Sequence, residues 1–401
     1  MQKSDIIHIG VAGLGPRSRS WLYLLESFPQ CRVVALCDRR EPALQEALVP
    51  RAANGVKGYQ EYTQLLDHPG LDALVILSDP TTQTALAVQA MQAGKHVTTE
   101  VPACYTLEDC WKLVLAVERS GCIYQLAEQV RYWGFIQAWK KVVASGELGK
   151  PLYAEGEYLH GLLHTTHPYF QDPETGQGFT PEQSLNNPRA AKTWRHTAHP
   201  IGYLPHTLSP LLYVLDDRVI EVTAMATQPR SYYEENIEQS DVEVALMKTA
   251  NDVVLRVMVS FVPPSAPRGE TQCHWYQVRG TRGALESKRS GWDKHKMWLA
   301  DHQMADWSAM GWSTDVVEAP PEARLSGHGG IDYYAVATWL DAIRRNVMPP
   351  LDVYKSIETA APSAAAIASL ECGSQLTKVP NFRPGPHRSI GQEPATRDFT
   401  V

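Results

Sequence analysis

Apolar and polar positions fall in blocks along this chain, and the first block is the most regular. Ile6-Ile7-His8-Ile9-Gly10-Val11-Ala12 is an apolar run of strand length, broken by Gly13-Leu14-Gly15-Pro16-Arg17-Ser18. Trp21, Leu22, Leu24, Leu25 and Phe28 then recur at helical spacing, and Arg32-Val33-Val34-Ala35-Leu36-Cys37 is a second run that ends on Asp38. This pattern predicts a buried strand, a glycine turn, a helix and a second strand. The alternation continues with helices over Pro42 to Val49, Tyr62 to Leu66, Thr82 to Ala93 and Leu107 to Ser120. Strands are predicted over Leu71 to Leu77, Lys95 to Thr99 and Cys122 to Leu126. Alternation of this kind implies right-handed crossovers and a doubly wound parallel sheet, with its loops gathered on the carboxyl edge.

Near Glu128 the pattern changes. Trp133 to Ala144 reads as a helix, closed by Ser145-Gly146-Glu147-Leu148-Gly149-Lys150-Pro151. Strands follow over Leu152 to His160, Val219 to Thr227, Val242 to Thr249, Val253 to Val262 and His274 to Gly280. Runs of strands joined by turns predict one antiparallel sheet in a second domain. Two late helices, Asp332 to Arg345 and Val353 to Leu370, would cover a face of it or pack back on the first domain. The stretch from His160 to Leu208 has little periodicity and is rich in His, Pro, Asn and aromatic residues. A loop that long is usually functional or disordered, and its aromatic content favours an ordered wall of a site. The expected division is 1–128, 129–380 and a surface-bound or loose tail, 381–401.

Composition narrows the class. Charged residues are 20% and hydrophobic ones 44% of the 401 positions, as in an ordinary globular protein. A net charge of −7 without any basic run argues against a nucleic-acid partner. No apolar stretch approaches the roughly 18 residues of a membrane span. Met1 to Asp5 lead into the first strand without a signal-like segment, so a cytoplasmic protein is expected. The seven cysteines form no Cys-x-x-Cys pair, which predicts reduced, mostly buried thiols.

The glycine turn carries the first candidate chemistry. A turn that opens a helix directs free backbone N–H groups and the positive dipole end at a pyrophosphate. Gly13 suits the tight turn, Gly15 permits close backbone approach, and Ser18 is small where a third glycine often stands. Asp38 is placed to hold ribose hydroxyls. His160, His164, His167, His196, His199 and His206 invite a metal reading. None forms a helical His-x-x-x-His pair with a helper glutamate, and prolines punctuate the region, so no metal is expected. A serine nucleophile has no Gly-x-Ser-x-Gly elbow to occupy.

Gly13-Leu14-Gly15, the Ser78-Asp79-Pro80 corner, Gly94-Lys95-His96-Val97, Glu100-x-Pro102 and Gly146-Glu147-Leu148-Gly149 together resemble the Gfo/Idh/MocA family, over nearly the whole chain. The resemblance implies an α/β protein: an N-terminal Rossmann domain and a C-terminal α/β domain with an open, mainly antiparallel sheet. That sheet often serves oligomerisation, so a homo-oligomer is implied. Most members are NAD(P)-dependent dehydrogenases of sugars, inositols or related polyols. The family's Glu-Lys-Pro is Glu100-Val101-Pro102 here, and valine cannot polarise the substrate oxygen or move its proton. Thr99 to Ala103 instead resembles the NAD-dependent glycosidases of glycoside hydrolase family 109. So do Glu128 to Tyr132, Tyr153 to His160, Trp194-Arg195, Tyr203 to Pro210 and His328 to Tyr333. Gly161, Pro205-His206-Thr207 and Thr84 depart from that family's pattern and bear on which sugar is bound.

The resemblance implies NAD as cofactor and a glycoside as substrate, cleaved through transient oxidation rather than by two carboxylates. The implied proton carriers are Tyr203 and His206, then Tyr158 and His160. The implied sugar contacts are Glu128, Tyr132, Trp194, Arg195, His328 and Tyr333. Cofactor contacts fall on Gly13, Leu14, Gly15, Pro16, Arg17, Ser18, Asp38, Arg39, Ser78, Pro80, Glu100, Pro102 and Gln129. Arg131, Arg189 and Arg195 are candidates to face an acidic sugar. Two rivals remain at this point: a conventional sugar dehydrogenase in which His206 replaces the missing lysine, and a non-catalytic sugar-binding protein.

Overall fold

The computed structural model describes residues 6–161, 168–262, 268–316, 319–324 and 326–394. Its first part alternates strand and helix: β1 (Ile7–Ala12), α1 (Pro16–Glu26), β2 (Cys31–Cys37), α2 (Glu41–Leu48), β3 (Lys57–Tyr59), α3 (Tyr62–Leu66), β4 (Ala73–Ile76), α4 (Pro80–Gln92), β5 (His96–Thr99), α5 (Leu107–Ser120) and β6 (Tyr124–Leu126). The six strands form one parallel sheet in the order β3-β2-β1-β4-β5-β6. The order reverses between β1 and β4, the point at which a doubly wound sheet takes its ligand. Proline at the first position of α1 and of α4 suits a helix start, because its missing N–H has no helical partner there. Six of the seven cysteines are buried and none forms a disulfide.

After α6 (Gly134–Ala144) the second sheet begins with β7 (Pro151–Leu159). The stretch expected to lack regular structure contains β8 (Phe170–Gln171), β9 (Gly178–Phe179), a short helix α7 (Pro181–Ser184) and β10 (Ala191–Lys192). Its three strands form a small sheet in the order β10-β8-β9. The larger correction is α8 (Pro205–Leu215), an almost fully buried helix whose first turn lies in the stretch to Leu208 where a loop was expected. Pro200, Gly202, Pro205 and Pro210 interrupt the local pattern, while packing on α6 and β7 supplies the stabilisation that propensity does not.

The remaining strands are β11 (Val219–Ala226), β12 (Val242–Thr249), β13 (Val254–Ser260), β14 (His274–Gly280), β15 (Gly283–Glu286), β16 (His295–Leu299), β17 (Ser308–Met310) and β18 (Thr377–Lys378). With β7 they form a nine-stranded sheet, β17-β16-β15-β14-β7-β13-β12-β11-β18. It is mixed rather than purely antiparallel, because β7 and β13 run parallel. The helix Val353–Glu371 packs on both β11 and α5, and the helix Asp332–Arg345 returns to the first sheet through Val336, Trp339 and Leu340. Among the described residues no helix is long and apolar enough to cross a membrane.

Candidate active site

At the carboxyl edge of the parallel sheet, Gly13 adopts φ +91°, and a Cβ there would lie 2.8 Å from the Leu77 carbonyl. Only glycine fits that turn. Gly15 caps α1, and nothing lies within 4 Å of where its Cβ would be, so the helix N-terminus faces open space. Ser18 donates its hydroxyl to the Gly15 carbonyl at 2.7 Å. Asp38 accepts from the Leu14 N–H at 2.7 Å, tying the turn to the end of β2. Arg40 bonds Asp38, whereas Arg39, the expected cofactor contact, is exposed. The Ser78 hydroxyl is buried beside this turn without a partner. An open helix N-terminus, an acid at the second strand and an orphaned hydroxyl fit a dinucleotide.

Glu100 and Pro102 end their loop above β5, and their carbonyls both accept from the buried Gln83 amide at 2.6 and 2.8 Å. Arg17 bridges the two halves of the chain: it pairs with Glu100 at 2.5 Å and with Asp332 at 2.8 Å. Trp21 donates to the same Glu100 oxygen. Burial disfavours both carboxylates, but the Arg17 guanidinium outweighs it and holds each below its ordinary range. His328 continues the chain, with Nδ1 at 2.8 Å from Asp332 and 3.2 Å from the Gln129 amide. Its backbone is left-handed at φ 54°, next to Gly329 and Gly330.

The second group lies where α8 meets β7 and β14. His206 Nδ1 stands 2.7 Å from Glu128 Oε2, and Glu128 is fully buried. The other Glu128 oxygen accepts the Val130 N–H at 2.9 Å. Burial alone lowers the His206 pKa, yet the Glu128 charge prevails and the net shift is upward. Around this pair stand Tyr158 (ring centroids 5.3 Å apart), Tyr203 (6.2 Å) and His274 (6.1 Å). His160 lies against Tyr158, and burial, with help from His206, pushes its pKa down to about 4. The Arg195 guanidinium donates to the Tyr203 hydroxyl at 2.8 Å, and Trp194 stacks on the Tyr203 ring. Burial raises the Tyr203 pKa and Arg195 offsets this only in part.

Several expected contacts are engaged elsewhere. Tyr333 stacks on Phe28 at 4.8 Å, and Tyr132 stacks on Tyr334 with its hydroxyl 3.2 Å from Thr338. Arg131 lies over the Tyr213 ring and Arg189 pairs with Asp172, which leaves Arg195 beside the histidines. His196 bonds the Asn236 carbonyl and His199 pairs with Glu243; His164 and His167 lie outside the described residues. Among the described residues no three metal-ligating side chains converge. His274 and Tyr276 belong to the group although nothing in their alternating strand pattern marks them out.

Fold and site define an NAD-binding enzyme of the Gfo/Idh/MocA oxidoreductase architecture. Residues 7–128 match the oxidoreductase family with an NAD-binding Rossmann fold, and residues 137–389 match the C-terminal domain of glycosyl hydrolase 109. The chain belongs to glycoside hydrolase family 109, the NAD-dependent glycosidases. It is 26% identical to an α-N-acetylgalactosaminidase of Tannerella forsythia, over 98% of this chain and 89% of that one. A family 109 protein of Parabacteroides distasonis is 25% identical, over 94% and 87% respectively. The crystal structure of an Agrobacterium radiobacter oxidoreductase with NAD+, L-tartaric acid and magnesium superposes with a TM-score of 0.70 at 18% identity, covering 93% of this chain and 98% of that one.

Proposed function

We propose that this protein cleaves a glycoside by transient oxidation at sugar C3, elimination across C1 and C2, addition of water and re-reduction, with no net redox change. The observation that carries the reading is the buried His206–Glu128 pair, 2.7 Å apart, flanked by Tyr203 and Tyr158. Val101, buried in the loop where dehydrogenases of this fold resemble one another in carrying lysine, favours elimination over release of a keto sugar. Bound NAD supplies hydride acceptance at C3 and its return. The Gly13 turn, the α1 N-terminus and Asp38 would hold it.

The chain's own residues move the protons. His160, kept neutral by burial, takes the C3 hydroxyl proton as the ketone forms. The ketone acidifies C2, and His206 Nε2, on the ring edge away from Glu128, removes that proton. The Glu128 carboxylate stabilises the resulting imidazolium. Tyr203 accepts an Arg195 N–H, so its own O–H is free to protonate the departing C1 oxygen. Water then adds at C1 and returns a proton to Tyr203. The proton on His206 Nε2 exchanges with solvent before a proton is delivered from there to C2, and His160 gives its proton back to the C3 oxygen as hydride returns.

The Tannerella relative's name supplies the first substrate to try, an aryl α-N-acetylgalactosaminide, at the head of a glycoside panel without added cofactor. In D2O the released sugar should carry deuterium at C2, with many turnovers per protein and no build-up of NADH. NADH accumulating with a keto sugar and an intact glycosidic bond would establish a dehydrogenase instead. Cleavage that needs no NAD and leaves C2 unexchanged would defeat both.

A further inference from the structure

Helix α8 carries a proline four residues after His206. In an α-helix the N–H of residue i+4 donates to the carbonyl of residue i, and proline has no N–H to give. Pro210 therefore leaves the His206 carbonyl without its helical donor, inside a buried helix. A proline ring at that position also crowds the carbonyl four residues before it. The Tyr276 hydroxyl occupies the gap, 2.8 Å from the His206 oxygen.

Tyr276 is fully buried on β14, opposite Gly156 of β7. A Cβ on Gly156 would lie 2.2 Å from Thr207 Cγ2 and 3.4 Å from the Tyr276 ring. The bare glycine lets the first turn of α8 settle on the sheet, within reach of the phenol. The same hydroxyl lies 3.1 Å from His274 Nδ1. A phenol has one proton, and a carbonyl can only accept. That proton goes to the His206 carbonyl, so the hydrogen of the second bond sits on His274 Nδ1. His274 is the Nδ1–H tautomer, kept neutral by burial and by the neighbouring His206.

We infer that Tyr276 and His274 are positioning residues for His206, holding the first turn of α8 through the carbonyl that Pro210 frees and so keeping the imidazole against Glu128. The inference rests on the proposed role of His206 in proton transfer. The alternative is that Tyr276 merely satisfies a buried carbonyl.

Tyr276→Phe, Pro210→Ala and the double variant separate the two in the full chain. Phenylalanine keeps the ring and removes the hydroxyl, while Pro210→Ala restores a helical N–H that can bond the His206 carbonyl. Positioning predicts that the double variant regains the thermal stability lost in Tyr276→Phe but keeps a kcat deficit of about 10–100-fold with KM little changed. NMR titration of the histidines, with the His206 signal assigned by its loss in His206→Asn, should show its pKa dropping in both Tyr276 variants. An unmoved His206 titration, or a double variant with wild-type kcat, overturns the inference. The titration reads the His206–Glu128 contact without turnover. A displaced His206 signal in Tyr276→Phe, alongside a fully active His206→Asn, would therefore uphold the positioning and remove the proposed base.

Discussion

Glu128 sets what His206 can do. The carboxylate is fully buried, and its charge raises the imidazole pKa above the ordinary value of about 6.5 despite the opposing effect of burial. A base works in its deprotonated form, so the acid limb of kcat should lie above that ordinary value. Glu128→Gln keeps the shape and removes the charge; the limb should then move to lower pH. His206→Asn should lose about 10²–10⁴ in kcat while still binding NAD. A limb that stays put in Glu128→Gln would assign it to another group. The stability sign follows the same shift: a raised histidine pKa contributes at low pH, and the contribution fades as pH rises through the folded value. At this scale the sequence names His206 and Glu128 but not their contact, because they are far apart in the chain. Tyr276 and His274 stay hidden because inward polar residues on a strand look like any others. The signal that could have found them is Pro210, which implies an orphan carbonyl once α8 is known.

Among elements, local pattern is legible wherever one period holds for a full strand or helix. α3 and α5, β12 and β14, and the helix Asp332–Arg345 end at the residues the pattern predicts. Other ends move by a few residues, as with β4, which is shorter than Leu71 to Leu77. β15, β16 and β17 escape notice because they are short, and β16 and β17 carry Lys, His, Trp and Ser rather than an apolar run. The parallel contact of β7 with β13 is not a local property at all. The turn after β1 is legible, and it supports a prediction on cofactor choice. Asp38 holds the Leu14 N–H and carries a negative charge where a 2′-phosphate would fall, so NAD should bind more tightly than NADP. Arg40 already bonds Asp38 and opposes that preference only in part. Titrating apoprotein with each cofactor checks it: Asp38→Ser should narrow the gap, and tighter binding of NADP by the unaltered protein would reverse the assignment.

Across the whole molecule, the segment after β18 is the least legible part, since proline, glycine and scattered charges predict no element. Its described part crosses back to the nucleotide-binding half and docks on α5. Arg388 and Glu118 pair at 2.6 Å with side chains 0% and 2% exposed, and the guanidinium lies over Trp111. Glu118 also accepts from the Tyr354 hydroxyl and the Gly391 N–H, which draws the helix Val353–Glu371 into the same knot. Removing one member of a buried pair strands the other, at a cost of about 3–5 kcal/mol, more than an exposed pair would be worth. Arg388→Ala should therefore release residues 381–394 from α5, seen as faster hydrogen exchange at Gly391 and faster proteolysis of the tail. Burial pushes the Glu118 pKa up, but Arg388, Tyr354 and Gly391 outweigh it and the net shift is downward. A depressed carboxylate contributes above its unfolded pKa of about 4.3 and loses that contribution as pH falls through the folded value. The unaltered tail should stay protected at pH above that range and be shed below it, while Arg388→Ala should be unprotected throughout. Equal protection in both proteins would show that apolar contacts such as Phe382 on Trp111, rather than the ion pair, hold the tail.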